Sequence, residues 1–128
     1  MKVFLGGTCG SSTWRNKLIP LLTVQFFNPV VPNWTPECQA IEEKEKDEAD
    51  IRLYVLTPET SSTYSIAEVV DDSNKLPSKT VFMFIETEDF FFSKHEKTAL
   101  TKIGEMVKAN GATWIVGGLD DLAAHLNS

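Results

Sequence analysis

Five short apolar runs, each separated from the next by a helical stretch, constrain this chain more than any other feature. They are Lys2 to Leu5, Val24 to Asn28, Ile51 to Thr57, Lys79 to Ile85 and Ala112 to Val116. Near-continuous apolar runs of this length suit strands buried on both faces of a parallel sheet. The first intervening helix carries Trp14, Leu18, Leu21 and Leu22 on one face, has Ser11, Ser12 and Thr13 as cap candidates, and is tightened at Pro20. Further helices are expected from Thr35 or Glu37 through Glu48 with Ile41 facing inward, and from about Ser65 to Ser73. A long one follows a Ser93 cap to Asn110, with Leu100, Ile103, Met106 and Val107 inward and Gly111 closing it, and a short one covers Leu119 to Leu126. Strands joined by helical crossovers run parallel, and the crossovers are right-handed in nearly all cases. The expected fold is therefore α/β: a three-layer, doubly wound, five-stranded parallel sheet of order 2-1-3-4-5, with its switch point between the first and third strands. No repeat or linker interrupts the pattern, so residues 1–128 are expected to form one domain.

Charge narrows the partners. The 12 basic and 18 acidic side chains leave a formal charge of -6, and much of the acidic excess falls between Glu37 and Asp50. With no long basic run, counterion release contributes little, which argues against a nucleic-acid polymer as partner. A single nucleoside or nucleotide needs only a local pocket. The apolar stretch at Met1 to Gly7 is too short for a signal peptide, and no window approaches a membrane span, so a cytoplasmic protein is expected. Cys9 and Cys38 are then free thiols rather than a disulfide. The two histidines and two cysteines show no metal-ligand spacing, and Asp71 and Asp72, beyond the first turn of their helix, are expected to be solvated.

In an open α/β sheet, ligands bind where loops leave the carboxyl ends of strands at the switch point. That geometry brings the loop from Gly6 to Ser12 against the segment from Pro58 to Glu68. Glu68, a carboxylate placed just inside a helix that follows a strand and a polar loop, is the leading candidate for a reacting group. The loop Gly6-Gly7-Thr8-Cys9-Gly10-Ser11-Ser12 leads into a helix N-terminus, an anion-favouring arrangement, although its spacing matches neither the P-loop nor the dinucleotide fingerprint. Arg15 either donates to a ligand or is solvated. The proline-rich loop from Asn28 to Glu37 either walls a pocket or parks Trp34 on the core. Phe90 to Phe92 reads as core packing or an interface patch.

Taken together, Val3-Phe-Leu-Gly-Gly-Thr8 with Trp14-Arg15, Asn28-Pro-Val-Val-Pro with Trp34, Asp50 with Tyr54-Val-Leu-Thr-Pro58, and Tyr64-Ser-Ile-Ala-Glu68-Val-Val-Asp-Asp-Ser73 resemble the nucleoside 2-deoxyribosyltransferase superfamily in its shorter, transferase-like branch. The resemblance runs from Lys2 to about Phe84. It implies a Rossmann-like sheet and cofactor-independent cleavage of the N-glycosidic bond of a deoxynucleoside. Glu68 matches the glutamate that attacks C1′ to form a glycosyl-enzyme intermediate. An oxocarbenium-like transition state is stabilised by such a carboxylate, and covalent capture splits one hard displacement into two easier ones. The acid that assists departure of the base matches Glu42, with Glu43 as the adjacent option. Gly7, Thr8, Ser62 and Ser65 match sugar or phosphate contacts, and assembly into a homo-oligomer is implied.

Two positions depart from the transferase pattern. Ser62 stands where those enzymes carry an aspartate, and Tyr64 and Ser65 stand where they carry glycine. A serine there resembles the deoxynucleoside 5′-monophosphate N-glycosidases, in which Ser62, Thr63 and Ser65, with Ser11 and Ser12, would receive a phosphate. Tyr64 would stack on a base or close the loop. Three readings remain open: transfer or cleavage of a nucleoside, hydrolysis of a nucleoside monophosphate, and a nucleotide-binding or sensor protein without catalysis.

Overall fold

A computed structural model describes all residues from Met1 to Ser128. The strands are β1 (Lys2–Gly7), β2 (Gln25–Phe27), β3 (Ile51–Leu56), β4 (Thr80–Phe84) and β5 (Thr113–Trp114). The helices are α1 (Trp14–Leu18), α2 (Pro36–Glu48), α3 (Thr63–Lys75), α4 (Lys94–Ala109) and α5 (Leu119–Asn127). The five strands form one sheet in the order β2-β1-β3-β4-β5, and every pairing is parallel. The fold is thus the three-layer α/β sheet that the alternation of apolar runs and helices demands. No helix is long and apolar enough to cross a membrane.

Strand alternation divides the core in two. Val3, Leu5, Leu53, Val55, Val81 and Met83 point to the face covered by Trp14 and Leu18 of α1 and Leu122, Ala123 and Leu126 of α5. Tyr54, Leu56 and Phe82 point to the other face, under Val69 of α3 and Leu100 and Val107 of α4. Each fully buried Leu, Val or Phe contributes roughly 1.5–3 kcal/mol of transfer free energy, so both faces are firmly packed. On the second face, α4 comes close to β5 because position 104 is glycine: a Cβ there would lie 2.3 Å from the Trp114 ring.

The local expectations hold with instructive exceptions. Pro20 does tighten the first helix, converting Ile19 to Leu21 into a 3-10 turn. Thr35 caps α2 through Cys38 N–H, and Ser93 forms a reciprocal capping box with Glu96 on α4. Met106, expected inward, is exposed on α4. The larger correction is α2, in which no residue is buried and Ile41 is 52 % exposed. On the sheet face beside that helix, Gly6 offers no side chain and Arg52 is charged, and Phe4 stacks on Phe27 and borders a cavity rather than packing under an apolar helix face. Ion pairs attach the helix instead. Glu45 pairs with Lys2 of β1, Lys46 with Glu68 of α3 at 2.6 Å, and Asp47 with Arg52 of β3 at 3.3 Å.

A candidate active-site cavity at the switch point

The carboxyl ends of β1 and β3 are clasped by threonines. Thr8 N–H donates to Val55 O at 2.9 Å, and Thr57 N–H donates to Thr8 Oγ1 at 2.9 Å. Gly7 permits this approach: its φ is +114°, and a Cβ would fall 2.1 Å from Val55 O. Beyond the clasp, Thr60 Oγ1 donates to Cys9 O, and Ser12 Oγ meets Thr57 Oγ1 at 2.6 Å. The two loops that topology brings to one rim are therefore bonded to each other.

Beside this clasp lies a cavity of about 380 Å³, within the roughly 300–1,000 Å³ typical of small-molecule sites. Phe4 and Gly6 form its floor, and Gly7, Cys9 and Arg15 one end. Gln39, Glu42, Glu43 and Lys46 of α2 face Tyr64, Ser65 and Glu68 of α3 across it. Those spacings are i, i+3, i+4, i+7 on α2 and a matching stripe on α3, the pattern of one helix face. Two polar stripes meet over a glycine floor, which explains why the space is left unfilled.

Glu68 lies at the centre. The helix begins at Thr63 rather than Ser65, with Ser62 C=O accepting Ile66 N–H at 3.0 Å, so Glu68 falls in the second turn instead of the first. The helix dipole, which fades within a turn, does little for it there. Its charge is met by Lys46, whose Nζ donates to Oε2 at 2.6 Å, while no protein group engages Oε1. Lys46 in turn sits 3.9 Å from Asp72 Oδ2 and 5.5 Å above the Tyr54 ring. Asp72 corrects a second expectation, since it is only 6 % exposed rather than solvated. Tyr54 Oη donates to its Oδ2 and Arg52 donates to its Oδ1 at 3.1 Å. Burial, then the bond to Asp72, pushes the Tyr54 hydroxyl far above its ordinary pKa and keeps it a donor.

The two acid candidates separate. Glu43 is exposed and accepts a bond from Gln39 at 3.4 Å. Glu42 is half-buried, and desolvation, then the facing charge of Glu68, raises its pKa against a smaller pull from Arg15. A carboxyl so placed holds its proton to higher pH than an ordinary glutamate.

The other expected site residues divide between lining and scaffold. Gly7, Arg15, Tyr64 and Ser65 line the cavity, with Tyr64 standing 78 % exposed at its mouth. Arg15 is neither solvated nor free. It is 4 % exposed, its Nε donates to Leu5 O, and its terminal nitrogens donate to Thr8 O, Gly7 O and Cys9 Sγ. Thr8 is buried in the clasp, where its hydroxyl also meets Ser62 Oγ. Ser62 and Thr63 open on a different cavity, of about 470 Å³, between this loop and α4. Trp34 does not reach the site at all and is 58 % exposed, while Pro29 of the same loop supplies the wall. Of the phenylalanine cluster, Phe92 packs edge-on against Phe84, and Phe90 and Phe91 are exposed. The largest cavity, about 500 Å³, lies at the ends of β4 and β5 against Trp14, Phe84, Phe92 and Trp114 and is lined by none of the catalytic or substrate-binding candidates.

Lys46 and Asp72 are the site residues that reading the sequence missed. Lys46 was hidden in a run of alternating charges, although its i+4 spacing from Glu42 was a usable signal.

The family described as nucleoside 2-deoxyribosyltransferase like matches residues 1–86 of the chain. That span includes β1 through β4 and every residue lining the cavity. No curated protein and no solved structure gives a significant match.

Proposed function

The chain belongs to the nucleoside 2-deoxyribosyltransferase-like family, and on that premise we propose that it cleaves the N-glycosidic bond of a (deoxy)nucleoside with Glu68 as the nucleophile. One observation carries this reading. A carboxylate with one unengaged oxygen and a second carboxyl biased toward its protonated form face each other across a single cavity. Glu68 Oε1 attacks C1′, the C1′–N bond breaks, and its electron pair leaves on the base nitrogen, which takes a proton from Glu42. In the resulting ester Glu68 is neutral. One of the two causes that raise the Glu42 pKa is then gone, so Glu42, having given up its proton, is stable as the carboxylate that receives a proton from the incoming acceptor. An acceptor base gives exchange of nucleobases, and water gives the free sugar. All groups in this scheme are side chains of the protein, and no cofactor takes part.

Electrostatics favours a nucleoside without a 5′-phosphate. Glu42, Glu43 and Glu68 line the cavity, and the two cations present already spend their donors, Arg15 on carbonyls and Lys46 on carboxylates. Of the hydroxyls expected to receive a phosphate, only that of Ser65 lines this space. A dianion would meet repulsion here without a free cation to offset it. Tyr64 at the mouth offers a ring face to the base. The exposed side chains of Val30, Val31, Trp34 and Ile41, on the segments that border the cavity, form the surface on which we place a second copy of the chain. The acting unit is taken to be the whole of residues 1–128, in the cytoplasm.

The test supplies ribonucleosides, deoxynucleosides and their 5′-monophosphates, each with and without an acceptor base, and follows free base and exchanged nucleoside by chromatography. Base release from nucleosides that is lost in Glu68→Gln supports the reading. Preference for monophosphates would overturn the choice of substrate, and binding without turnover would favour a sensor.

A further inference from the structure

We propose that Lys46 is the positioning residue for Glu68: its ammonium holds Oε2 and thereby presents Oε1 to the cavity. The inference rests on the reading of Glu68 as nucleophile and extends it to a residue on a different helix. Four observations carry it. Lys46 Nζ lies 2.6 Å from Glu68 Oε2, a charge-assisted bond in a part-buried setting where both side chains are about three-quarters covered. The contact is made to one carboxylate oxygen only, which fixes which oxygen is free.

Lys46 is itself held from behind. Asp72 Oδ2 lies 3.9 Å away and the Tyr54 ring 5.5 Å beneath, while Asp72 is locked by Tyr54 Oη and Arg52. This chain of contacts runs from the sheet through α3 to α2, so the ammonium has a defined position although its helix buries no side chain. Finally, Glu68 has no other protein partner. Without Lys46 no hydrogen bond fixes which carboxylate oxygen faces the cavity, and in a displacement reaction an error of about 1 Å in the attacking atom costs on the order of 10²-fold in rate.

A bare counter-ion for fold stability would make a different prediction. Asp72 keeps Arg52 and Tyr54 when Lys46 is removed, so the buried cluster stays satisfied, and α2 keeps its other ties through Glu45–Lys2 and Asp47–Arg52. The loss should therefore appear in turnover rather than in folding or substrate affinity.

The experiment compares wild type, Lys46→Met, Lys46→Arg and Glu68→Gln on one deoxynucleoside that the wild type cleaves. Thermal melting of each variant serves as the folding control. The methionine variant keeps an unbranched apolar stem above Tyr54 without the charge. We expect its kcat to fall by on the order of 10²-fold with KM changed by less than about 3-fold, and the arginine variant to recover to within about 10-fold of wild type. If Lys46→Met keeps wild-type kcat while Glu68→Gln is inactive, Lys46 does not position the nucleophile. A melting temperature that falls in both lysine variants, without recovery of kcat by arginine, assigns Lys46 a structural role and also overturns the proposal. If Glu68→Gln retains turnover, or the wild type cleaves no nucleoside, the reading of Glu68 fails and the role of Lys46 fails with it.

Discussion

The hydroxyl of Tyr54, on the third strand, donates to Asp72 Oδ2 at 2.5 Å, and Arg52 from the same strand reaches the other oxygen of that carboxylate. A residue in the third turn of an exposed-looking helix is thereby the electrostatic centre beneath the cavity. Removing Asp72 would leave the buried Tyr54 phenol without its acceptor and the part-buried Arg52 with only the exposed Asp47 as partner. Asp72→Ala should cost about 3–5 kcal/mol of stability, and Tyr54→Phe, which leaves the carboxylate to Arg52, about 1–2 kcal/mol. Urea denaturation measures both, and a change under about 0.5 kcal/mol for Asp72→Ala would return it to the class of surface positions.

Arg15 should behave as a structural staple rather than as a ligand contact. Its donors satisfy carbonyls of Leu5, Gly7 and Thr8, and its guanidinium lies 4.4 Å from the Trp14 ring centre. Lysine cannot reproduce that fork. Arg15→Lys should therefore destabilise the protein by about 1–3 kcal/mol, read as a lowered denaturation midpoint. A variant with wild-type stability but weakened nucleoside binding would show the reverse role.

Salt should loosen α2 selectively. The helix has no buried side chain and is tied to β1, β3 and α3 through Lys2–Glu45, Arg52–Asp47 and Lys46–Glu68. At about 1 M salt the screening length falls to roughly 3 Å, which weakens exposed pairs most. Amide hydrogen exchange at residues 36–48 should accelerate between low and high salt, while α3 and α4, anchored by Val69, Leu100 and Val107, stay protected. Equal acceleration in all three helices would contradict this view of α2.

The pH dependence of turnover should report Glu42. Its pKa is raised by burial and then by Glu68, with Arg15 opposing. The acid form is the one that delivers a proton, so rate should fall on the alkaline side, with a limb above the ordinary glutamate range. Glu42→Gln should lower the rate and remove that limb. Linkage fixes the sign for stability as well: a folded-state pKa above the unfolded one favours the fold below the unfolded value and loses that contribution as pH rises through the folded one. Glu42→Gln should therefore gain stability relative to wild type as pH rises from acid to neutral, measured by denaturation at each pH.

Strand order and the meeting of the two loops were legible because apolar runs and crossover lengths leave few topologies for a chain of this size. That Glu68 lies at the switch-point cavity was legible from its place after the third strand, and that Glu42 lies there only through the family resemblance. The start of α3 was misplaced because Ser61 to Ser65 holds several hydroxyls able to cap. The structure spends that of Ser62 on Thr8 across the clasp, a contact between residues 54 positions apart. The inward face given to α2 failed for a related reason, since what a helix can bury depends on the strand beneath it, and at Gly6 that strand offers no side chain to pack on. Trp34 drew attention by size, yet Pro29 forms the wall. Lys46 and Asp72 carry their meaning only in pairs: the i+4 step from Glu42 puts Lys46 on the same helix face, whereas no local pattern distinguishes Asp72 from a solvated charge.

The central claim is a covalent glycosyl ester on Glu68, and the most direct measurement is intact-protein and peptide mass spectrometry after rapid acid quench of the protein with a deoxynucleoside and no acceptor base. A mass increase of one deoxyribosyl group, mapped to the peptide containing Glu68 and absent from Glu68→Gln, is the predicted result. Release of base by the wild type with no adduct at any quench time, and with turnover preserved in Glu68→Gln, would contradict it.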